Sequence, residues 1–405
     1  GPPIEQGVLL IQDGKIKAVG DARTVRLSSD VQTIDAAGKT IMPGLVDTHS
    51  HIGGGSGADG SAPIQPDVRI LDGINARSTS LQRAQAGGIT TVNVMPGSGH
   101  VDSGQTLYLK LRDNAVKIDD LLIFGTDGKY AGGIKFANGT NSIRPGGGSF
   151  PGTRAKAAAL VREQFIKAQE YRGKVRKAGT DASKLPARDL AMEALVEVLD
   201  GKRVVHFHTH RHDDILTALR LQKEFGFRIV LQHVSEAWKV ADEIAKAKAP
   251  ASIIMIDAPG GKLETVDVSY VNGAALEKAG ALTGFHTDDG ITDSRWFLRS
   301  AGLAVRAGMS REKALYGMTM ANAIMLDLQN RIGSLEVGKD ADLVILSGDP
   351  LSVYTHVLET WVEGRKVFDR SDPKDYLIAV GGKGAGDDGD AEHLHCFDGD
   401  IGGNQ

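Results

Sequence analysis

Short, continuously apolar segments alternate with helical windows along most of this 405-residue chain. Eight of these segments have the length and composition of strands, and they are residues 46–49, 90–95, 121–124, 133–136, 204–208, 229–233, 252–256 and 282–287. Continuous apolar character is typical of strands that are buried on both faces of a parallel sheet. Eight such strands alternating with helices predict an α/β fold and, within that class, a (β/α)8 TIM barrel.

The two ends of the chain have a different pattern, in which strand-like runs are joined by turns. Asp13-Gly14 is a hairpin turn signal between residues 8–12 and 15–19, and residues 342–346, 360–362 and 366–368 also have strand character. We therefore expect a small β-sandwich domain built from residues 1–44 and 331–370, next to a barrel of residues 45–330. Residues 371–405 form a tail rich in Gly and Asp.

Composition excludes several classes of protein. A net charge of −4 gives no basic field for nucleic acid or an anionic membrane, and no apolar run is long enough for a membrane span. The single cysteine, Cys396, excludes an intrachain disulfide and a thiolate zinc site. A metal would therefore need histidine, carboxylate or modified lysine ligands. We expect a soluble homo-oligomer with a small-molecule substrate, in a compartment that the sequence leaves open.

The histidines are concentrated at the ends of predicted strands. Eight of the twelve fall in three places, and these eight are His49, His51, His206, His208, His210, His212, His233 and His286. In a TIM barrel, the carboxyl ends of the strands form the active-site face. Histidines that end separate strands are therefore expected to converge there.

The pair His49 and His51 ends the first predicted barrel strand. Residues i and i+2 of a strand point to the same side, so two imidazoles in this spacing can hold one ion. His-X-His alone is weak evidence, but here it follows Pro-Gly-Leu-Val-Asp-Thr at residues 43–48. That string resembles the first barrel strand of the amidohydrolase superfamily, in its imidazolonepropionase- and prolidase-like branch. Residues 332–344 resemble the same family's return from the barrel to the small sheet domain, and the likeness extends from about residue 8 to residue 368.

The resemblance implies a set of metal ligands on several strands. His49 and His51 come from strand one, and His208 comes from strand five, with His206 as the rival on the same face. Strand six supplies His233. Strand eight ends in His-Thr-Asp-Asp-Gly, so Asp288 is the expected ligand and general base, with Asp289 as a weaker alternative.

The position on strand four is occupied by Lys135, in the run Gly-Gly-Ile-Lys-Phe-Ala at residues 132–137. It looks like the segment of family members whose lysine is carboxylated, so that its two oxygens bridge two metals. The alternative is that Lys135 is a positive charge on a polar loop, and that the site holds a single ion.

The implied activity is metal-dependent hydrolysis of a C–N bond, amide or peptide-like. Imidazole and carboxylate ligands suit zinc, with manganese, iron or cobalt as other candidates. Such an ion generates hydroxide near neutral pH, and Asp288 would take up the proton. We expect His210 to polarise the substrate oxygen, or else to orient a ligand. Arg211, Arg295 and Asn138 are candidate substrate contacts, because an arginine fork matches a carboxylate.

Several substrate classes stay open at the level of sequence. A dipeptidase, a carboxypeptidase and an N-acyl amino acid hydrolase all fit, although residues 210–214 depart from the prolidase-like pattern. The alternatives are a mononuclear deaminase and a hydrolase of cyclic amides or imidazolones. Deaminase members usually carry a glutamate shortly after the strand-five histidine, and this chain has none there. A catalytically inactive scaffold is the third alternative, which the complete ligand set disfavours.

Overall fold

A computed structural model of the protein describes residues 3–54, 59–125, 127–146, 148–255, 262–382 and 385. Cys396, most of the predicted tail and residue 256 of the seventh predicted strand lie outside these residues. The strands are β1 Gly7–Gln12, β2 Lys15–Asp21, β3 Thr40–Pro43, β4 Leu45–Ser50, β5 Ile89–Val94, β6 Asp102–Gln105, β7 Leu107–Lys110, β8 Ile134–Ala137, β9 Val205–Thr209, β10 Ile229–His233, β11 Ala251–Ile253, β12 Thr283–Phe285, β13 Leu343–Leu346, β14 Val357–Val362 and β15 Arg365–Asp369. The α-helices are α1 Thr79–Ala86, α2 Arg154–Ala178, α3 Leu190–Leu199, α4 His212–Phe225, α5 Ala241–Lys246, α6 Asn272–Ala279, α7 Phe297–Arg306, α8 Arg311–Gly317, α9 Met320–Met325 and α10 Pro373–Val380.

Buried parallel strands form the centre of the molecule. One sheet has the order β12-β11-β10-β9-β8-β6, in which β8 to β12 are parallel, and another has the order β4-β5-β7, in which β4 and β5 are parallel. Every residue of β4, β5 and β8 to β12 is buried, as continuous apolar strands require when helices cover a parallel sheet. The prediction of an α/β fold is confirmed. None of the described helices is both long and apolar enough to cross a lipid bilayer.

The third predicted strand is wrong. Residues 121–124 follow the 3-10 turn Ile118–Leu121 and make only isolated bridges, at Leu122 and Phe124. The place between β5 and β8 is taken instead by β6 and β7. Strand β7 pairs antiparallel with β5, and β6 pairs antiparallel with β8. The residues of β6 are Asp-Ser-Gly-Gln, so this strand has no apolar run that could have predicted it. Only its pairing with the buried strand β8 identifies it as a strand.

The two central sheets come close at β4 and β12 without forming a ladder between the described strands. The backbone N–H of Asp288 donates to the carbonyl of His49 at 2.9 Å. The amide of Asn322, on α9, donates to the carbonyls of both Val46 and Phe285. The side chain of Asn322 and the backbone hydrogen bond from Asp288 therefore connect β4 of one sheet to the end of β12 in the other.

The two ends of the chain meet in one antiparallel sheet of order β15-β14-β13-β3. Strand β3, from the N-terminal part, pairs with β13 in the register Thr40 to Leu346. Strands β1 and β2 form a separate hairpin, and Gly14 in its turn has a φ of +75°, which glycine adopts readily. The β-sandwich and the domain boundaries stay predictions.

Candidate metal centre

Three ligand atoms converge where β4 and β12 end. The Nε2 atoms of His49 and His51 lie 3.4 Å apart, and Asp288 Oδ1 lies 3.3 Å from the first and 3.0 Å from the second. All three side chains are buried. A tetrahedral ion with ligands at about 2.0–2.1 Å keeps neighbouring donor atoms roughly 3.3–3.4 Å apart. The spacing of this group therefore fits a single ion.

Polar contacts from the same strands hold this group in place. His51 Nδ1 lies 2.8 Å from the carbonyl oxygen of Met95, so Nε2 is the nitrogen that faces Asp288. Asp47 accepts hydrogen bonds from the hydroxyl and backbone N–H of Thr287. Burial raises the pKa of Asp47 to about 7. No role for Asp47 is predicted from the sequence, although its place two residues before His49 was a usable signal.

A second group consists of imidazoles alone. One nitrogen from each of His208, His210 and His233 lies within 4.8 Å of the others, and all three rings are buried. Neither nitrogen of His208 has a hydrogen-bond partner, and neither does the Nε2 of His210 or of His233. Buried polar atoms normally have partners, so this concentration of unpartnered nitrogens points to a ligand.

His286 connects the two groups. Its ring stacks on that of His49 with centroids 4.9 Å apart, and its Nε2 lies 3.1 Å from His233 Nδ1. Its own Nδ1 lies 2.9 Å from the hydroxyl of Ser252. The sequence placed His286 among the clustered histidines without giving it a role, because its position two residues before Asp288 was the only signal.

Burial sets the protonation state of the imidazoles. It lowers the pKa values of His49, His208, His210 and His233 well below the ordinary histidine value, with nearby positive charges adding to the effect. Neutral imidazole is the form that binds metal ions. For Asp288, burial raises the pKa, but the hydrogen bond from His51 and neighbouring positive charges outweigh it and hold the pKa below its usual range. Neutral imidazoles beside an ionised carboxylate fit a divalent cation.

Lys135 and His206 are both buried but have different surroundings. Lys135 lies on β8, and its Nζ is 2.9 Å from His49 Nε2 and 3.0 Å from Met95 Sδ. The alternative of a charge on a polar loop is therefore wrong, because Lys135 is a strand residue with 0% exposure. His206 lies 2.9 Å from the hydroxyl of Tyr108 and 3.1 Å from the amide of Gln232, and it belongs to none of the ligand groups found among the described residues.

Asp289 and Arg295 face away from the ligand groups. Asp289 accepts from Arg83 on α1 at 2.8 Å and from the backbone of Ser294 at 2.9 Å. Arg295 pairs with Asp293 and donates to the carbonyl of Ile378 on α10. These contacts do not connect Arg295 to the histidines, so its role in substrate binding stays a prediction.

Asn138 and Arg211 lie close to β9. Asn138 follows β8, its backbone N–H donates to the carbonyl of His208 at 3.1 Å, and its buried Oδ1 has no hydrogen-bond partner. Arg211 directly precedes α4 and pairs with Asp213, with 39% of its side chain exposed. Both remain predicted substrate contacts, and Asn138 is the one that has an unused polar atom.

Comparison with known proteins agrees with this geometry. The model of the Amidohydrolase family matches residues 40–368. A solved amidohydrolase from Thermotoga maritima MSB8 is 34% identical, with 89% of this chain and 95% of that chain covered and a TM-score of 0.83. These matches place the chain in a class of metal-dependent hydrolases. The chain belongs to the amidohydrolase family, and by its family it is a hydrolase acting on carbon–nitrogen bonds.

The curated relatives differ in length and in name. The amidohydrolase tasK of Hapsidospora irregularis is 26% identical over 395 residues, which are 90% of this chain but only 39% of that protein. The imidazolonepropionase of Alkaliphilus metalliredigens (strain QYMF) is 26% identical over 394 residues, and 91% of each chain is covered. The chain thus spans well under half the length of tasK and nearly the full length of the imidazolonepropionase.

Proposed function

We propose that this protein hydrolyses an amide or peptide-like C–N bond with a divalent metal and with Asp288 as the general base. The convergence of Asp288 Oδ1 with two imidazole nitrogens at 3.0 and 3.3 Å carries this proposal. An ionised carboxylate beside two imidazole nitrogens serves both to hold an ion and to accept a proton.

The chain's own residues divide the work between binding and proton transfer. When bound, a divalent ion, with zinc first and manganese, iron or cobalt as alternatives, acidifies water and polarises a carbonyl. His49 and His51 hold it, and their burial excludes bulk water. Asp288 accepts the proton of the attacking water and delivers it to the leaving nitrogen. The oxygen Oδ2 of Asp288 lies 3.9 Å from His233 Nδ1, so both imidazole groups flank the base.

The proposal includes carboxylation of Lys135. A buried ammonium beside a neutral imidazole is costly, because the charge has lost its hydration. Carboxylation replaces this cation by an anion with two oxygens, directly beside His49. The modified lysine would then be a further metal ligand, as its place on strand β8 suggests.

Two substrate classes follow from different observations. Dipeptides and N-acyl amino acids would use the unpartnered amide oxygen of Asn138, with Arg211 or Arg295 for a carboxylate. Cyclic amides are favoured by the relatives' names, because four imidazolonepropionases, an L-hydantoinase and a dihydroorotase match parts or most of the chain. A deaminase has less support, since no glutamate follows His208 or His210 closely.

We further propose that the two central sheets are parts of one (β/α)8 barrel. The hydrogen bond from Asp288 N–H to His49 and the contacts of Asn322 with Val46 and Phe285 support closure between β4 and β12. This closure would bring the carboxyl ends of β4, β8, β9, β10 and β12 to one rim. A homo-oligomeric state stays a prediction.

The test is a substrate screen with the wild-type protein and Asp288→Asn. Dipeptides, N-acyl amino acids and cyclic amides are assayed with added zinc and after treatment with a chelator. We expect turnover of one class, loss of it on chelation, and recovery with zinc. Asp288→Asn should lower kcat by at least about 100-fold, because the general base is removed. Far-UV circular dichroism checks that the variant is folded, and full activity in a folded Asp288→Asn protein would disprove the assignment.

A further inference from the structure

Lys262 carries a buried positive charge that the proposed function does not use. The residue directly precedes the 3-10 turn Leu263–Thr265, and its Nζ atom is buried without a hydrogen-bond partner among the described residues. An ammonium group that has lost its hydration is costly to bury unless an anion or several acceptors replace the water. The buried nitrogen of Lys262 therefore indicates a partner that the described part of the chain does not supply.

The turn that follows Lys262 is docked beside the end of β8. The carboxylate of Glu264 is buried and accepts from the backbone N–H of Thr140 at 2.8 Å. Gly139 has a φ of +77°, and a Cβ there would lie 2.6 Å from the same carboxylate oxygen, so glycine suits this contact. Arg154 on α2 also faces this oxygen, at 3.5 Å. The partner of Glu264 is therefore Arg154 and not Lys262.

This docking brings Lys262 to the strands that carry the histidines. In the sheet, β10 and β9 lie between β11 and β8, and His233 at the end of β10 pairs with Ile253 at the end of β11. Lys262 follows β11 in the chain and precedes a turn anchored beside β8, so it lies where β9 and β10 end. Burial lowers the pKa of His208 and of His210, and the positive charge of Lys262 lowers both further.

The two arginines that are candidate substrate contacts already have acidic partners. Arg211 pairs with Asp213 at 2.9 Å, and Arg295 pairs with Asp293. Each charge is thus neutralised by a carboxylate two residues away in the sequence. Lys262 differs from both, because its ammonium is buried and no hydrogen bond to a described residue replaces its hydration.

We infer that Lys262 binds a carboxylate of the substrate, so that the protein acts on acids among the N-acyl amino acids, dipeptides and cyclic amides and not on their neutral analogues. The inference rests on the proposed hydrolase function and deepens it, because it names a group that the substrate must carry. It assigns to Lys262 the role expected for Arg211 and Arg295. The unpartnered Oδ1 of Asn138, which follows β8, would accept an N–H of the same substrate.

The test compares acids with their neutral amides in wild-type protein and in Lys262→Met, both loaded with zinc. The probes are N-acetyl amino acids, dipeptides and hydantoin-5-acetic acid, each as the free acid and as the primary amide. We expect the wild type to prefer the acids by at least about 30-fold in kcat/KM, mainly through KM, because a buried charge is paired in the complex. Lys262→Met should lose this preference without affecting the amides, and Lys262→Arg should keep part of it.

Two further measurements do not require turnover. Lys262→Met should raise the melting temperature of the protein without substrate, because methionine fills similar space and carries no charge to desolvate. The acids should raise the melting temperature of the wild type, by binding to the folded state, and should have less effect on Lys262→Met. Lys246→Met, at an exposed lysine that ends α5, is the control and should behave as the wild type in every assay.

The outcomes separate this inference from the proposed function. Equal turnover of acids and amides, or a preference for acids that survives in Lys262→Met, would overturn the carboxylate site and leave the hydrolase intact. If no probe is hydrolysed but the acids stabilise the protein through Lys262, the hydrolase is overturned and the site is retained. A lower kcat for acids and amides alike, with unchanged KM, would place Lys262 at the reacting carbonyl and contradict the inference. If Lys262→Met does not fold, Lys262→Gln decides by the same comparison.

Discussion

At the scale of single residues, the buried carboxyl groups of Asp102 and Asp288 show how neighbouring residues decide whether a carboxyl group is protonated. Burial acts to raise the pKa of both Asp102 and Asp288, yet Asp288 also accepts a hydrogen bond from His51 and lies near Lys135, and these lower its pKa. Asp102 has one backbone hydrogen bond, from Gly104, and feels the negative charge of Asp67, so its pKa rises to about 8. Asp288, the candidate metal ligand, is therefore ionised, while Asp102 keeps its proton at neutral pH.

The raised pKa of Asp102 predicts that the stability of the protein depends on pH. The folded protein holds this proton up to about pH 8, whereas the unfolded chain releases it near the ordinary value of about 4. The folded state thus binds more protons between these values, and the free energy of unfolding falls as the pH rises through that window.

Asp102→Asn should remove this dependence, because an amide resembles the protonated carboxyl and can still accept from Gly104. We expect the variant to gain stability relative to the wild type between pH 5 and pH 8, by at least about 1 kcal/mol. Urea unfolding at both pH values measures the difference. An offset between variant and wild type that is equal at pH 5 and pH 8 would show that Asp102 does not titrate in this range.

At the scale of single elements, β6 depends on a glycine. Gly104 has a φ of +105°, and a Cβ there would lie 2.4 Å from the carbonyl oxygen of Val68. Only glycine tolerates both the left-handed backbone and this close approach. The strand can therefore lie next to β8, with which it pairs and which carries Lys135.

Gly104→Ala should destabilise the protein by about 2 kcal/mol or more, because the backbone of β6 must move away from Val68. Gly152→Ala is the control, since nothing lies within 4 Å of a Cβ at that position. It should change stability by no more than about 0.5 kcal/mol. Equal stabilities of the two variants in urea unfolding would count against the close approach at Gly104.

Strands with an apolar run in the sequence were predictable, and the polar strand β6 was not. The strands at β4, β9 and β10 lie where the apolar runs placed them, and the Asp13-Gly14 turn joins β1 to β2. Strand β6 was missed because its residues are polar, and residues 121–124 were given its place because they are apolar. Local pattern reports apolar composition, and β6 is buried and paired although its residues are polar.

At the scale of the whole molecule, Lys110 joins the central strands to the sheet formed by the chain ends. Its ammonium on β7 lies 2.8 Å from Asp340 and also pairs with Asp342, and its side chain is 1% exposed. Asp340 is shared with Lys15 on β2, so one buried ionic cluster connects three parts of the chain.

Lys110→Met should cost about 3–5 kcal/mol of stability, because it leaves two buried carboxylates without their shared partner. Arg23→Met, which breaks an exposed pair with Asp21, is the control and should cost at most about 1 kcal/mol. Thermal unfolding followed by circular dichroism measures both. A Lys110→Met protein as stable as the control would mean that the cluster does not hold the parts together.

The sequence by itself determined the α/β class, because that follows from local spacing, and its resemblance to the family supplied the candidate metal ligands. His49 and His51 are two residues apart at the end of β4, His208 and His233 lie at the carboxyl ends of β9 and β10, and Asp288 follows β12. Only the tertiary structure decided which strand separates β5 from β8, which nitrogen of each imidazole is already occupied, and how His286 and Lys135 reach His49. The physical reason is that these features depend on partners far away in the sequence, such as Met95 for His51 and His286 for His233, and no local pattern encodes them.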